Sequence, residues 1–326
     1  VANKADAIAV VEAAYELAAP EQTWMRLIVE RALALVPGAQ RGTAYTIDTS
    51  NVAAPVFGMP VNVGFGPQFD RRLLEAMNAD GPTLVKLARR KVGTLTETLG
   101  SSLEGTPMGD FVLKEGSRDA VGWVVLDAEG RGIVVATDLP GVTRLPRALR
   151  SRWELIGAHL AAARRLRSAA TRAHADECVV TPEGRVVHAE GKAEPRAVRE
   201  RLREMVVARD RARTQASRAD PDAALERWPG LVAGRWSLVD RFERDGRRYI
   251  VARCNEPRPP GPLCLTPRER QVFGHMLQGD SLKLTAYALG LSASTVSSLS
   301  ASLRLKLGAR SIADLLTRSV PEGPTR

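Results

Sequence analysis

The chain has 326 residues, 44% of them apolar and 26% charged, a size that allows two to three domains with sizeable cores and excludes a single mini-domain. Its apolar runs, such as 121–126, fall far short of a bilayer span, which excludes a membrane-spanning reading. Lys and Arg number 47 against 37 Asp and Glu, and the resulting +10 suits a polyanionic partner without distinguishing nucleic acid from solubility.

That charge is unevenly placed. Residues 1–163 are nearly neutral, with 17 basic against 18 acidic side chains, whereas 164–218 carry 14 against 8 and 265–326 carry 8 against 4. The neutral first half is expected to sense or assemble, and the basic excess belongs to the middle and the end. Cys178, Cys254 and Cys264 are too few and too scattered for a disulfide framework. Lys4, Asp6, Glu12 and Glu16 interrupt every apolar run of the first twenty residues, so no export signal is read there and the expected compartment is the cytoplasm.

In chain order, Ile8, Val11, Tyr15, Leu27, Ile28 and Leu35 predict two helices over 5–36, with Pro20 opening the second and Pro37-Gly38 closing it. A strand is expected over Gly42–Asp48, helices over 68–78 and 82–90, and a hairpin from 120–127 and 132–137 turning at Ala128–Arg131. A long helix over 145–166 then places Leu149, Trp153, Ile156, Leu160 and Ala163 on one stripe, with His159 on the same packing seam.

This order of elements resembles the GAF-like sensory fold. The resemblance spans about 160 residues and rests on order and pattern rather than a sharp motif. It implies dimerisation through the terminal helices and a pocket on one face of the sheet, either open to an effector or filled by side chains. With no cysteine in 1–163, the thioether attachment of a linear tetrapyrrole used by some GAF domains has no anchor there.

Beyond a basic helix end (Arg164, Arg165, Arg167, Arg172), strands are expected over 177–181 and 185–190 and a highly charged helix over 195–217. A second hairpin follows, from 235–243 and 247–254, turning at Arg244-Asp245-Gly246. Hairpin, helices, hairpin is similar to a small PAS-like module. Its arginine-rich helix is either a solvated face laced with i,i+4 pairs, since Glu200 and Glu204 interleave with Arg199 and Arg203, or a phosphate contact. Pro257, Pro259, Pro260 and Pro262 form a stiff linker. The expected organisation is α+β and multidomain: a sensor and dimerisation unit over 1–167, a middle unit over 168–256, a linker over 257–264 and an all-α unit over 265–320.

The last unit carries the most specific pattern. Thr266-Pro267-Arg268-Glu269 is a capping box with Pro at the first helical position, opening a helix to about Gln278 with Gly279 as its left-handed cap. Ser281 caps a short helix ending at Gly290, Ser292 a longer one ending at Gly308, and Ser311 with Asp314 opens a fourth. Val272, Met276, Leu277, Leu289, Leu291, Val296, Leu299, Leu303, Leu307, Leu315 and Leu316 are the expected core. Two helices joined by the tight Leu289-Gly290-Leu291 turn make a helix-turn-helix whose second helix is shaped for a major groove.

Over about 52 residues this segment resembles the LuxR/GerE-type helix-turn-helix of bacterial transcription regulators. The landmarks are Leu265–Arg270, Gly279-x-Ser281-x-Lys283, Leu291-Ser292-x-x-Thr295-Val296 and Lys306-Leu307-Gly308. The resemblance implies a cytoplasmic regulator that binds double-stranded promoter DNA as a homodimer. The sequence departs from the pattern after Thr295-Val296, where a basic residue, a polar residue and a histidine are usual and Ser297, Ser298 and Leu299 stand instead. At 100° per residue, Ser294, Ser297, Ser298, Ala301, Arg304 and Leu305 face outward. Hydroxyls donate or accept and discriminate bases weakly, so lower affinity and specificity are expected. Lys283, Thr295 and Lys306 are candidate phosphate contacts, and with Ser294, Ser297, Ser298, Ala301 and Arg304 they form the expected DNA-binding set.

No phosphate loop, nucleophile elbow or zinc helix appears, and His159, His174, His188 and His275 lack metal-ligand spacing. The expected protein is not an enzyme and needs no metal or cofactor. Two functions remain open: a dimeric transcription regulator, with or without a small-molecule effector in its first domain, or an interaction protein with a degenerate helix-turn-helix that acts on another regulator.

Overall fold

A computed structural model describes residues 6–49, 55–100, 102–127, 130–142, 144–169, 177–244, 246–258, 261, 265–309, 311 and 314. Two helices, α1 (Ala7–Ala14) and α2 (Glu21–Leu33), come first. The Asp6 carboxylate accepts from the Ile8 and Ala9 N–H groups, so α1 starts there. Strands β1 (Gly42–Asp48), β2 (Val56–Phe57), β3 (Val61–Val63), β4 (Val92–Thr94), β5 (Asp119–Leu126) and β6 (Arg131–Leu139) form an antiparallel sheet in the order β2-β1-β6-β5-β4. The short β3 also pairs with β1. Between strands lie α3 (Phe69–Ala79), α4 (Gly81–Arg90), α5 (Leu95–Leu99) and α6 (Pro107–Lys114), and α7 (Arg147–Ala169) follows the sheet.

Side-chain alternation explains why both faces are covered. Ala44, Val121, Trp123, Val125, Ile133 and Val135 point to a core shared with α1, α2 and α7, where Trp24, Ile28, Trp153, Ile156 and Leu160 are fully buried. Tyr45, Ile47, Val124 and Val134 point to the opposite core with Phe69, Leu73, Met77, Leu95 and Met108. Each buried Val, Leu, Ile, Phe or Met among them stabilises the fold by about 1.5–3 kcal/mol, and a strand buried on two sides has little room for polar residues, hence the near-continuous apolar run of β5.

A second antiparallel sheet, β7 (Glu177–Val180), β8 (Val186–Ala189), β9 (Trp236–Arg244) and β10 (Arg247–Cys254), has the order β8-β7-β10-β9. It packs Cys178, Val180, Trp236, Ile250 and Ala252 against Leu202 and Val206 of α8 (Arg196–Ala212). The charged helix expected to run to 217 stops earlier: Thr214 takes an extended conformation and its hydroxyl accepts from the Ser217 N–H, starting α9 (Gln215–Arg218). Next comes α10 (Pro221–Arg227), not foreseen in the sequence. Ala224, Leu225 and Trp228 join the core of α1 and α7, so the two sheet units share apolar packing.

The C-terminal unit comprises α11 (Pro267–Leu277), α12 (Leu282–Leu289) and α13 (Ala293–Lys306). The reciprocal Thr266–Glu269 cap is present, and Ser281 and Ser292 cap the next two helices as expected. Leu265, Val272, Phe273, Met276, Ala286, Leu289, Val296 and Leu303 close its core, with Leu291, Leu299 and Leu307 at the edge. Leu277, an expected core residue, is instead 44% exposed in the last turn of α11, and Phe273 takes the inward position. Leu315 and Leu316 lie outside the described residues. Of the expected fourth helix only the bond from the Asp314 N–H to Ser311 Oγ, 3.0 Å, falls within them. Among the described residues no helix is long and apolar enough to cross a membrane, and no group of three His, Cys, Asp or Glu side chains could hold a metal.

Candidate nucleic-acid interface

The unit is built around a turn that only glycine fits. Gly290 has φ of 61°, and a Cβ placed there would lie 1.7 Å from the Leu231 carbonyl oxygen. The left-handed turn that swings α12 into α13 and the seating of the unit against the middle of the chain therefore share one residue.

On the outward side, Ser294, Thr295, Ser297 and Ser298 are exposed, Ala301 and Arg304 are half-buried, and Leu305 is 84% exposed. The Ser292 hydroxyl lies 2.8 Å from Ser294 Oγ and 2.7 Å from Thr295 Oγ1, so the first turn of α13 presents a small hydroxyl cluster. Ser300 is buried and directs its hydroxyl to Met276. The expected set is thus brought to one helix, α13, except for Lys283 on α12. Lys283, in the first turn of α12, is largely exposed and stands 3.4 Å from the Glu226 carboxylate. Lys306 turns inward to Glu269 at 2.8 Å.

Glu269 ties α11 to α13. It accepts from Thr266 N–H (2.7 Å), the Ser302 hydroxyl (2.6 Å) and Lys306. Burial by itself would raise its pKa, but these partners outweigh burial and hold the carboxyl down at about 2. A phosphate approaching Lys306 would compete with this carboxylate.

The arginine-rich middle mostly pairs within the protein. Arg196 binds Glu200 (2.8 Å), Arg201 binds Glu204 (3.1 Å), and Arg203 donates to the Gly184 carbonyl (2.7 Å). Arg213 and Arg218 both reach Glu12 at 2.7 Å, Arg218 also contacts Asp6, and Arg248 meets Asp210.

Contacts that no local pattern announces hold the helical unit to the rest. His159 on α7 is fully buried; its Nδ1 lies 3.1 Å from the Tyr15 hydroxyl and its Nε2 2.8 Å from the Tyr287 hydroxyl of α12. Tyr287 O–H in turn donates toward the Leu225 and Trp228 carbonyls at 2.9 and 2.8 Å. The consistent tautomer has Tyr15 O–H donating to Nδ1 and Nε2–H donating to Tyr287. Burial drives the His159 pKa down to about 3, with Arg209 adding to the effect and the Trp228 carbonyl opposing it. Asp280, after α11, accepts from Lys91 and from His275 Nδ1 (2.7 Å), and Gln278 donates to the Asp127 carbonyl (2.6 Å). Burial works to raise Asp280, but His275 and Lys91 prevail and hold its carboxyl below the usual range.

Capped helices, a left-handed glycine turn and an exposed second helix define a helix-turn-helix unit. Residues 263–319 match the family described as bacterial regulatory proteins, luxR family (GerE), so this unit is a LuxR-type helix-turn-helix region. No curated protein matches the chain.

Proposed function

We propose that the protein is a DNA-binding transcription regulator, non-enzymatic and cytoplasmic, that acts as a homodimer and whose N-terminal unit senses a small molecule or mediates assembly. The observation that carries this reading is the exposed first half of α13, presented by the capped α12–Gly290–α13 pair within the segment that matches the luxR family. Hydroxyls at Ser294, Thr295, Ser297 and Ser298 would meet phosphate or base edges, with Lys283 reaching phosphate.

A GAF-like assignment of the first sheet and a PAS-like assignment of the second belong to the same reading. The first gains support from a mostly apolar cavity of about 90 Å³ between the sheet and α3 to α6. Thr137 at its wall is buried and its hydroxyl has no partner among the described residues, which suits an apolar effector with one polar group.

Selection of genomic fragments bound by the full chain, followed by salt titration, tests the reading. Preference for particular fragments over random duplex at physiological salt is the expected result, and its absence overturns sequence-specific regulation. The weak base-reading chemistry of the α13 serines favours one rival, an interaction protein acting on another regulator. That rival predicts stable hetero-complexes and DNA binding no stronger than charge alone supplies.

A further inference from the structure

An open groove of about 420 Å³ lies where the middle sheet unit meets the helix-turn-helix unit. Its sides are the first half of α8, the turn leading into β9 and the first turn of α11. Each side contributes one charged residue, Arg201, Arg235 and Arg268 respectively, and no carboxylate among the described residues lines it.

The groove is built around Arg268. Its guanidinium donates to Gln271 Oε1 at 2.9 Å and to the Ala233 carbonyl, both neutral acceptors. Ala233 holds a left-handed φ of 49°, uncommon for a residue with a Cβ. Gly234 follows at φ 67°, and a Cβ there would lie 1.9 Å from Arg268 Nη1, so the chain passes the guanidinium at a distance only glycine allows. Burial lowers the Arg268 pKa, Arg235 adds to the fall and Glu256 opposes it. A half-buried cation is thus desolvated and repelled by a second one, with no ion pair of its own among the described residues.

The other two arginines are only loosely neutralised. Arg201 pairs with Glu204 at 3.1 Å in an exposed i,i+3 contact, which exchanges partners at small cost. Arg235 stands 3.4 Å from Glu256, longer than a charge-assisted hydrogen bond. Three guanidiniums therefore meet two carboxylates, both outside the lining. The first turn of α8 has neither a side-chain cap nor an acidic residue, so its dipole adds potential of the same sign.

We propose that this groove binds a dianionic phosphate group, held by Arg201, Arg235 and Arg268, and that its occupant bridges the middle unit to the helix-turn-helix unit. Guanidinium forks match phosphate oxygens in pairs. The groove is wider than a phosphate ion, and exposed Ala197 with half-buried Val198 leaves an apolar rim for the organic body of a phosphomonoester. Because Arg268 belongs to one unit and Arg201 and Arg235 to the other, the anion binds the docked arrangement better than any separated one and shifts the population toward docking. The inference is independent of DNA recognition by α13.

Inorganic phosphate and phenyl phosphate are the probes, titrated calorimetrically into the full-length protein at constant ionic strength and about pH 7.5, where both are largely dianionic. Each saturates one site with half-saturation below about 1 mM, a bound set by the small size of the probe. Phenyl phosphate tighter by about tenfold or more assigns the site to an ester with an apolar body; phenyl phosphate no tighter assigns it to free phosphate. Arg268→Gln and Arg235→Gln each weaken phosphate about tenfold or more, the worth of one hydrogen bond to a charged group. The exposed Arg235 keeps the test open should Arg268→Gln fail to fold. Arg71→Gln, which removes the same charge from the distant α3, leaves the affinity unchanged. At saturating phosphate, amide exchange slows in the first turn of α11 in the parent protein and not in Arg235→Gln. Heats that never saturate, an affinity unchanged in both groove variants, or saturation without slowed exchange would overturn the proposal. A fall of about 0.9 in the salt slope of DNA binding in Arg235→Gln, with no saturable phosphate site, would also overturn it and give the groove to the DNA backbone.

Discussion

Across the outward face of α13, from Ser294 to Leu305, exposed side chains contact little beyond their own turn, whereas on the opposite side of the same unit Tyr287, Asp280, Gln278 and Gly290 each meet another part of the chain. The difference separates two uses of polar chemistry. On the inward side, hydrogen bonds are buried, paired and fixed in direction, so losing one partner costs about 1–3 kcal/mol. On the outward side, hydroxyls are solvated and free to donate or accept, and each contributes little until a partner arrives. The identity of the helix-turn-helix rests on its frame, and its attachment rests on the back.

The comparison breaks first at Gly290. Gly290→Ala has both a positive φ and a Cβ driven into the Leu231 carbonyl, and is expected to destabilise the protein by about 3 kcal/mol or more. Gly279→Ala shares the positive φ, 76°, but meets nothing within 4 Å, so it costs only the left-handed term of about 1–2 kcal/mol. Denaturant unfolding of the two variants isolates the docking contact as their difference. Equal losses would mean that the close approach to Leu231 carries no energy.

Next in size is Tyr287→Phe, which removes the hydroxyl between His159 and the Leu225 and Trp228 carbonyls. A loss of about 1–3 kcal/mol is expected, read in the same unfolding experiment. The corresponding change on the outward face, Ser297→Ala, should stay within about 0.5 kcal/mol.

The inward face also carries the pH response. His159 binds a proton in the unfolded chain near its ordinary 6.5 but in the folded chain only near 3. Between those values the unfolded state holds more protons, so stability falls as pH drops below 6.5 and stops falling through this group near 3. The limiting slope is about 1.4 kcal/mol per pH unit, with about 1 kcal/mol lost over the first unit. His159→Gln should flatten that segment of a stability-against-pH curve. Glu269 acts lower: its depressed carboxyl contributes stability above 4.5 that is lost as pH falls toward 2.

Which parts of this contrast are legible in the sequence follows from distance along the chain. The Thr266–Glu269 cap, the Ser281 and Ser292 caps and the glycine turn lie within a few residues of their partners, and each is readable as a local pattern. So is β1, whose bounds match the expected strand, and so is the outward arc of α13. The strands β2, β3 and β4 are only two or three residues long and α5 only five, too short to show a period, and they form because neighbouring elements supply partners. The ties of Lys91 to Asp280 and of Tyr15 through His159 to Tyr287 join residues more than a hundred positions apart, and no spacing rule reaches them. A signal for the last existed in the composition: His159 is the one polar ring on an apolar seam, and a buried imidazole needs two partners.

The smallest expected effect sharpens the outward half of the comparison. Lys283 is largely exposed, and its nearest acid, Glu226, is itself exposed, so the pair is screened and adds little to stability. A DNA phosphate would replace Glu226 at small cost, and Lys283→Ala should then leave unfolding unchanged while lowering the slope of log binding constant against log salt by about 0.9. Lys306→Ala should do the reverse, since its amine stabilises the buried Glu269 carboxylate: lower stability near neutral pH, with little change in slope. Ser298→Arg adds a fork at an exposed position of α13 and should steepen the slope by about the same 0.9 if it reaches phosphate. If it reads guanine instead, it should discriminate one base by about 1–3 kcal/mol. A slope unmoved by both Lys283→Ala and Ser298→Arg would place the DNA elsewhere on the molecule and leave the serine face of α13 to a protein partner.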